Sequence, residues 1–199
     1  MVKLVNQTGF ASTIKEKHLA LFSARDVQTL FRVSPGAATM LLHRYSRQGF
    51  IVRVKRGMYV FPDFLPPELY LANKLYSPSY ISREFALSYH RVIPETVYEI
   101  TSVTTKATRK FERLGKVYSY RRITKKAFTG YTVEKQQGFT FRIADAEKAF
   151  VDVLYYRIFF GKKPLTRFNK SRINIKKALQ YAELFNNRKL VGILKRTLQ

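Results

Sequence analysis

Residues 34–62 read "SPGAATMLLHRYSRQGFIVRVKRGMYVFP", and this stretch decides the N-terminal fold. Ser34 is a good N-cap, and Pro35 suits the first helical position because its missing N–H would be unpaired there anyway. The predicted helix runs from Pro35 to about Gln48, with Gly49 as a natural C-cap. Ile51–Lys55 and Met58–Phe61 then read as two short strands around Arg56-Gly57, where the glycine supplies a positive φ. Upstream, "TIKE" at Thr13–Glu16 fits a capping box that would open a first helix. Ser23 can cap a second helix over 24–31, with Val27, Leu30 and Phe31 on its apolar side. Three helices followed by a hairpin is the order of a winged helix-turn-helix.

A helical step of about 100° per residue sorts the third helix into faces. Ala38, Leu41, Leu42 and Tyr45 point inward. Gly36, Met40, His43 and Arg47 point outward, flanked by Thr39 and Arg44. The helix holds no acidic residue. Such a face suits the major groove, where arginine pairs bidentately with guanine and a threonine or methionine methyl meets the thymine methyl. The candidate DNA-reading set is Ser34, Thr39, Met40, His43, Arg44 and Arg47. In the hairpin, Val52 and Val54 can pack on the helices, leaving Arg53, Lys55 and Arg56 for phosphate or the minor groove. Charge on an edge strand also blocks aggregation, but that explains one lysine better than three cations in four residues.

Totals narrow the function classes. The chain has 199 residues, enough for one large or two small domains. Its formal charge is +24, from 37 Lys and Arg against 13 Asp and Glu. Self-repulsion of that size calls for a polyanionic partner. The ends are the most basic parts: residues 1–62 hold 10 basic and 2 acidic groups, and residues 161–199 hold 11 and 1. No apolar run approaches the roughly 20 residues of a membrane span, and "MVKLVNQTGFASTIKEK" lacks a signal-peptide core. No membrane partner and a cytoplasmic location are therefore expected. There are no cysteines, and the three histidines are scattered, so neither a disulfide nor a metal site is expected.

"PDFLPPE" at 62–68 carries three of the seven prolines and reads as a linker. It divides a domain over 1–62 from a second over 63–199, whose basic helical tail begins at about 161. In the second domain, helices are expected over 68–76, 83–90 and 145–160, the last with Ala146, Ala149, Phe150, Val153, Leu154 and Arg157 on one side. Strands are expected in "SYIS", "TVYEITSVTT" and "GKVYSYRRI", and "FTGYTVEKQQGFTFRIA" reads as a hairpin turning at 136–138. Two helices, about 174–186 and 188–198, should close the chain. Ile175, Leu179, Ala182, Leu184 and Phe185 form the expected stripe of the first. The expected class is α+β: a winged helix-turn-helix, then a mixed α+β domain with a helical basic tail.

"VKRGMYVFP", "YISREFALSYHRVIPETVYEITSVTT" and "AEKAFVDVLYY", in that order, resemble the AbiEi-type antitoxins of bacterial type IV toxin–antitoxin systems over roughly residues 20–160. The resemblance implies a transcriptional regulator of the abortive-infection, phage-defence kind. Such a protein would use its winged helix to bind inverted repeats in its own promoter and repress its operon. Its C-terminal domain would counteract a nucleotidyltransferase-like toxin. No cofactor and no catalytic residue are expected. "DAEK" at 145–148 lacks the carboxylate-x-Lys spacing of a metal-dependent nuclease, so Asp145 is expected to cap its helix and Glu147 to pair with a nearby cation. An RNA-binding or RNA-processing role stays open, since "KVYSYRR" mixes aromatics with cations that could stack unpaired bases, and behind it a metal-dependent nuclease, motivated by the carboxylates near Lys148. The more ordinary reading of "KVYSYRR" is a strand with a buried tyrosine face.

Overall fold

The computed structural model describes residues 6–198, so the first five residues of the N-terminal segment and the last residue of the tail lie outside the described residues. The chain is mixed α+β and divides into two compact units, Met1–Pro67 and Glu68–Gln199.

The first unit contains α1 (Gln7–Glu16), α2 (Ala24–Phe31), α3 (Pro35–Arg47), β1 (Val52–Lys55) and β2 (Met58–Val60). α1 begins about two turns earlier than "TIKE" suggests. Asn6 is its N-cap and accepts from the Gly9 amide at 2.8 Å. Thr13 sits inside the helix and donates to the Gly9 carbonyl. The apolar pair Phe10 and Ile14, four apart on one face, sets the extent of α1. In α2, Asp26 accepts from both the Ser23 amide and the Ser23 hydroxyl at 2.7 Å. α3 follows the sequence closely: Ser34 Oγ accepts from the Ala37 amide at 3.2 Å, and Gly49 just beyond the helix has φ +72°.

Phe10 is the centre of this unit. Its ring lies 5.2 Å from Phe31 and from Tyr45, 5.8 Å from Phe22 and 6.0 Å from Phe61. The rings thus draw α1, α2, α3 and the end of the hairpin onto one core, with Ile14, Val27, Ala38, Leu42 and Ile51 filling it. The hairpin gains a short third partner: Phe22 and Tyr59 exchange backbone hydrogen bonds at 3.0 and 2.8 Å. That bridge ties the α1–α2 connection to the wing.

The second unit is a six-stranded sheet in the order β5-β6-β4-β3-β8-β7. Its strands are β3 (Ser79–Ile81), β4 (Ile100–Thr104), β5 (Arg109–Arg113), β6 (Lys116–Arg122), β7 (Tyr131–Gln136) and β8 (Phe139–Ala144). The helices are α4 (Glu68–Leu75), α5 (Arg83–Tyr89), α6 (Ala146–Phe159), α7 (Ile175–Glu183) and α8 (Arg188–Leu198). β4 runs parallel to β6 and β3 parallel to β8; the other pairings are antiparallel. The register aligns Ser102 with Tyr120 on one face, and Tyr80 with Val103 on the other. Tyr120 donates to the Ala72 carbonyl of α4, whereas Tyr80 donates to Asp152 of α6. Helices therefore cover both faces, and all five residues of β4 are buried. The tyrosines of "KVYSYRR" at 118 and 120 are buried in the sheet.

Two expectations for this unit change. α6 is buried nearly all round, including Glu147, Lys148 and Asp152, because α5, α7 and α8 pack around it as well as the sheet. The tail helix α7 buries Ala178 and Ala182 and leads to a buried Phe185, while Ile175 and Leu184 are exposed. Small residues face inward there because α7 lies close to both α6 and α8.

Candidate nucleic-acid interface

The outward face of α3 is built by the inward one. Ala38, Leu42 and Tyr45 are buried in the Phe10 core, which leaves Thr39, Met40, His43, Arg44 and Arg47 exposed along the opposite side. Met40 is 75% exposed on that face. The Thr39 hydroxyl donates to the Pro35 carbonyl at 2.9 Å, which commits its proton and leaves its oxygen lone pairs and methyl on the helix surface. Arg44 lies over the Tyr45 ring at 5.4 Å. Ser34 is spent differently from its neighbours, because its oxygen caps the helix.

The hairpin holds its cations by a bulge. Val52 pairs with Val60 and Arg53 with Tyr59, but the register then slips and Lys55 pairs with Met58. The extra residue, Val54, is buried. Arg53 and Arg56 are exposed and Lys55 is half-buried. Arg53 Nε donates to the Lys55 carbonyl at 3.4 Å, a weak brace along the strand. A bulge adds twist and re-aims the side chains around it. Gly57, at φ +76°, closes the turn where a side chain would be strained.

Electrostatics single this surface out. The first unit has three acidic residues, Glu16, Asp26 and Asp63, and each is engaged elsewhere. Glu16 accepts from Ser12 at 2.7 Å, Asp26 caps α2, and Asp63 pairs with Lys15 at 2.6 Å. The Lys15 hydrogen bond holds the Asp63 carboxyl below its ordinary value. Among the described residues, none of Arg44, Arg47, Arg53 or Arg56 has a carboxylate partner. Arg25 on α2 and Arg32, a left-handed residue in the α2–α3 turn, are two further exposed cations. Sequence reasoning passed over both, since their only signal is charge.

The second unit buries three of its charged side chains, Glu147, Lys148 and Asp152, all on α6. Lys148 and Asp152, four apart on α6, form a fully buried ion pair. Ser82 donates to Asp152 at 2.6 Å and Tyr80 at 3.3 Å. Burial pulls the Lys148 amine below the ordinary lysine range and pushes the Asp152 carboxyl above the ordinary carboxylate range. Asp145 caps α6 through the Lys148 amide at 2.8 Å, as its place before the helix suggests. Glu147 pairs with Lys177 of α7 at 3.2 Å rather than with a cation of its own helix, and Asp145 shares that lysine at 3.0 Å. These carboxylates fasten α7 to the start of α6. Ser82 directly precedes α5, but its hydroxyl turns to Asp152 instead of capping that helix. The signal for the buried pair was the i, i+4 spacing of Lys and Asp.

Among the described residues, no helix is long and apolar enough to cross a membrane. In comparison with known proteins, no family model and no curated protein matches this chain.

Proposed function

We propose that this chain is a sequence-specific double-stranded DNA-binding repressor that acts as an antitoxin. It would regulate its own operon and counteract a nucleotidyltransferase-like toxin. One observation carries the DNA part: among the described residues, Arg44 and Arg47 on the exposed face of α3 and Arg53 and Arg56 in the adjoining hairpin have no carboxylate partner, while every acid of that unit is engaged elsewhere. Helix, turn, helix and wing is an established docking geometry for the major groove. In this reading Thr39, Met40, His43, Arg44 and Arg47 meet base edges, and Arg53, Lys55 and Arg56 meet backbone. Ser34 presents the helix N-terminus, where backbone amides favour a phosphate. The antitoxin part rests on the resemblance of the motifs at 54–62, 80–105 and 146–156. The second unit would serve it without chemistry of its own, since its most acidic helix start is committed to holding α7.

Two experiments separate these parts. Duplex fragments from upstream of the gene should compete for binding far better than random duplex or single-stranded RNA at moderate salt. A preference for single-stranded RNA would overturn the DNA reading. Growth arrest caused by an adjacent nucleotidyltransferase-like gene should be relieved by this chain. Failure of that rescue, with operator binding intact, would leave a repressor that is no antitoxin.

A further inference from the structure

A second surface of the molecule has the chemistry of a ligand site. Beyond the carboxyl ends of the parallel strands β4 and β6, a cleft of about 400 Å³ opens against the last turn of α6. Clefts outside the carboxyl ends of parallel strands are favoured binding places in sheets of this kind. Its aromatic wall includes Tyr155, Phe159 and Phe160, and its cationic wall Arg121, Arg122 and Lys125. Thr105, Thr108 and Thr124 add hydroxyls, and no carboxylate lines it.

Two of these features lack a structural explanation. Phe159 is 69% exposed and Phe160 50%, at the end of a helix whose other residues are buried or half-buried. Arg121 holds its guanidinium 5.3 Å from the Phe160 ring rather than against a carboxylate. A planar cation on an aromatic ring is a platform that stacks a further flat π-system. The rim beside it supplies Arg122 and Lys125, both exposed, for negative charge.

We propose that this cleft binds a nucleotide, with the base stacked at Phe159 and Phe160 and the phosphates on Arg121, Arg122 and Lys125. The same chemistry is offered by a free nucleotide and by an unpaired nucleotide within a nucleic-acid strand. A nucleotide is preferred to a simple polyanion because the exposed rings reward a flat aromatic group and charge alone does not. The site belongs wholly to the second unit and does not depend on the DNA reading of α3.

Calorimetric titration of the full chain in about 0.3 M salt, which screens non-specific attraction, tests this. The probes are the four ribonucleoside triphosphates, inorganic tripolyphosphate and short single-stranded oligonucleotides. A nucleoside triphosphate should bind at least about fivefold more tightly than tripolyphosphate, the advantage expected of one stacked base. The double substitution Phe159→Leu with Phe160→Leu, which keeps apolar volume but removes the rings, should abolish that difference. Arg121→Gln should weaken nucleotide binding while leaving the melting temperature in place. A ring-dependent preference seen only with the oligonucleotides would identify the strand as the source. Equal binding of tripolyphosphate and nucleotides, no binding of any probe, or full retention of binding in the leucine variant would overturn the proposal.

Discussion

The Lys148–Asp152 pair shows what a single charge costs when it is sealed from water. Both side chains are fully buried, and Asp152 takes two further hydrogen bonds, from Ser82 and Tyr80. Removing one partner strands the other, so Lys148→Met should destabilise the second unit by about 3–5 kcal/mol. Lys148→Met combined with Asp152→Leu removes both charges and should recover much of that loss. Urea unfolding of the two variants checks this; a double variant as weak as the single would show that geometry, not stranded charge, sets the cost. On the first unit the same scale separates reading from anchoring. Arg47→Ala should cost about 1–3 kcal/mol and relax preference at one position of the DNA site, whereas Arg56→Ala should weaken all sequences alike and flatten the salt dependence. Binding titrations against single-base operator variants distinguish the two.

At the scale of elements, glycines mark where the backbone is forced. Gly57 and Gly130 both have positive φ, +76° and +74°. A Cβ at Gly57 would meet nothing within 4 Å, so Gly57→Ala should cost only the backbone strain, about 1–2 kcal/mol. A Cβ at Gly130 would lie 2.8 Å from Tyr181 Cζ and 2.9 Å from Lys148 Cγ. Lys148 is locked in its ion pair, so Gly130→Ala should be the more damaging by a further 1–3 kcal/mol or so. Urea midpoints order the pair.

Elements with strong end signals were legible in the sequence. Ser34-Pro35 and Gly49 bracket α3, Ser23 opens α2, Asp145 opens α6, and Gln137-Gly138 turns the β7–β8 hairpin with positive φ at both residues. The misread elements lacked a local signal or carried a misleading one. "TIKE" has capping-box spacing, yet the core is made by Phe10 and Ile14, which require helix before it. β5 is an exposed edge strand, "RKFER", with four charges and one half-buried ring, so it offers no alternation to read. α6 reads as one-sided from the spacing of Ala146, Ala149, Phe150, Val153 and Leu154, and only the tertiary arrangement shows that Lys148 and Asp152 satisfy each other inside. The outward face of α3 was legible for the opposite reason: its inward residues are apolar at helical spacing. The cleft by Phe159 was not legible, since its walls come from strand ends and a helix end far apart in the chain.

Over the whole molecule, the division into two units lets each respond to solution conditions in its own way. The second unit buries Tyr80, Tyr118 and Tyr120 and most of Tyr156. Burial pushes all four phenols up, Tyr118 to about 12 and the others well above the ordinary value. A raised phenol pKa favours the neutral, folded form, so this stabilisation is complete below the ordinary value of 10.0 and is lost as pH rises above it. The second unit should therefore lose stability progressively in alkali, with these tyrosines ionising together as it unfolds. Tyrosinate absorbance followed alongside circular dichroism tests this; smooth ionisation at pH 10 with the fold intact would contradict it. The formal charge of +24 ensures that any polyanion binds at low salt, so affinity alone says little about function.

Selectivity at moderate salt is decisive. Selection from a random double-stranded DNA pool by the full chain, repeated with Arg44→Ala and Arg47→Ala together, tests the central claim most directly. Enrichment of one defined sequence by the native chain, lost in the double variant, is the predicted result. A pool that stays random, or an enriched sequence that the double variant binds equally well, would contradict it.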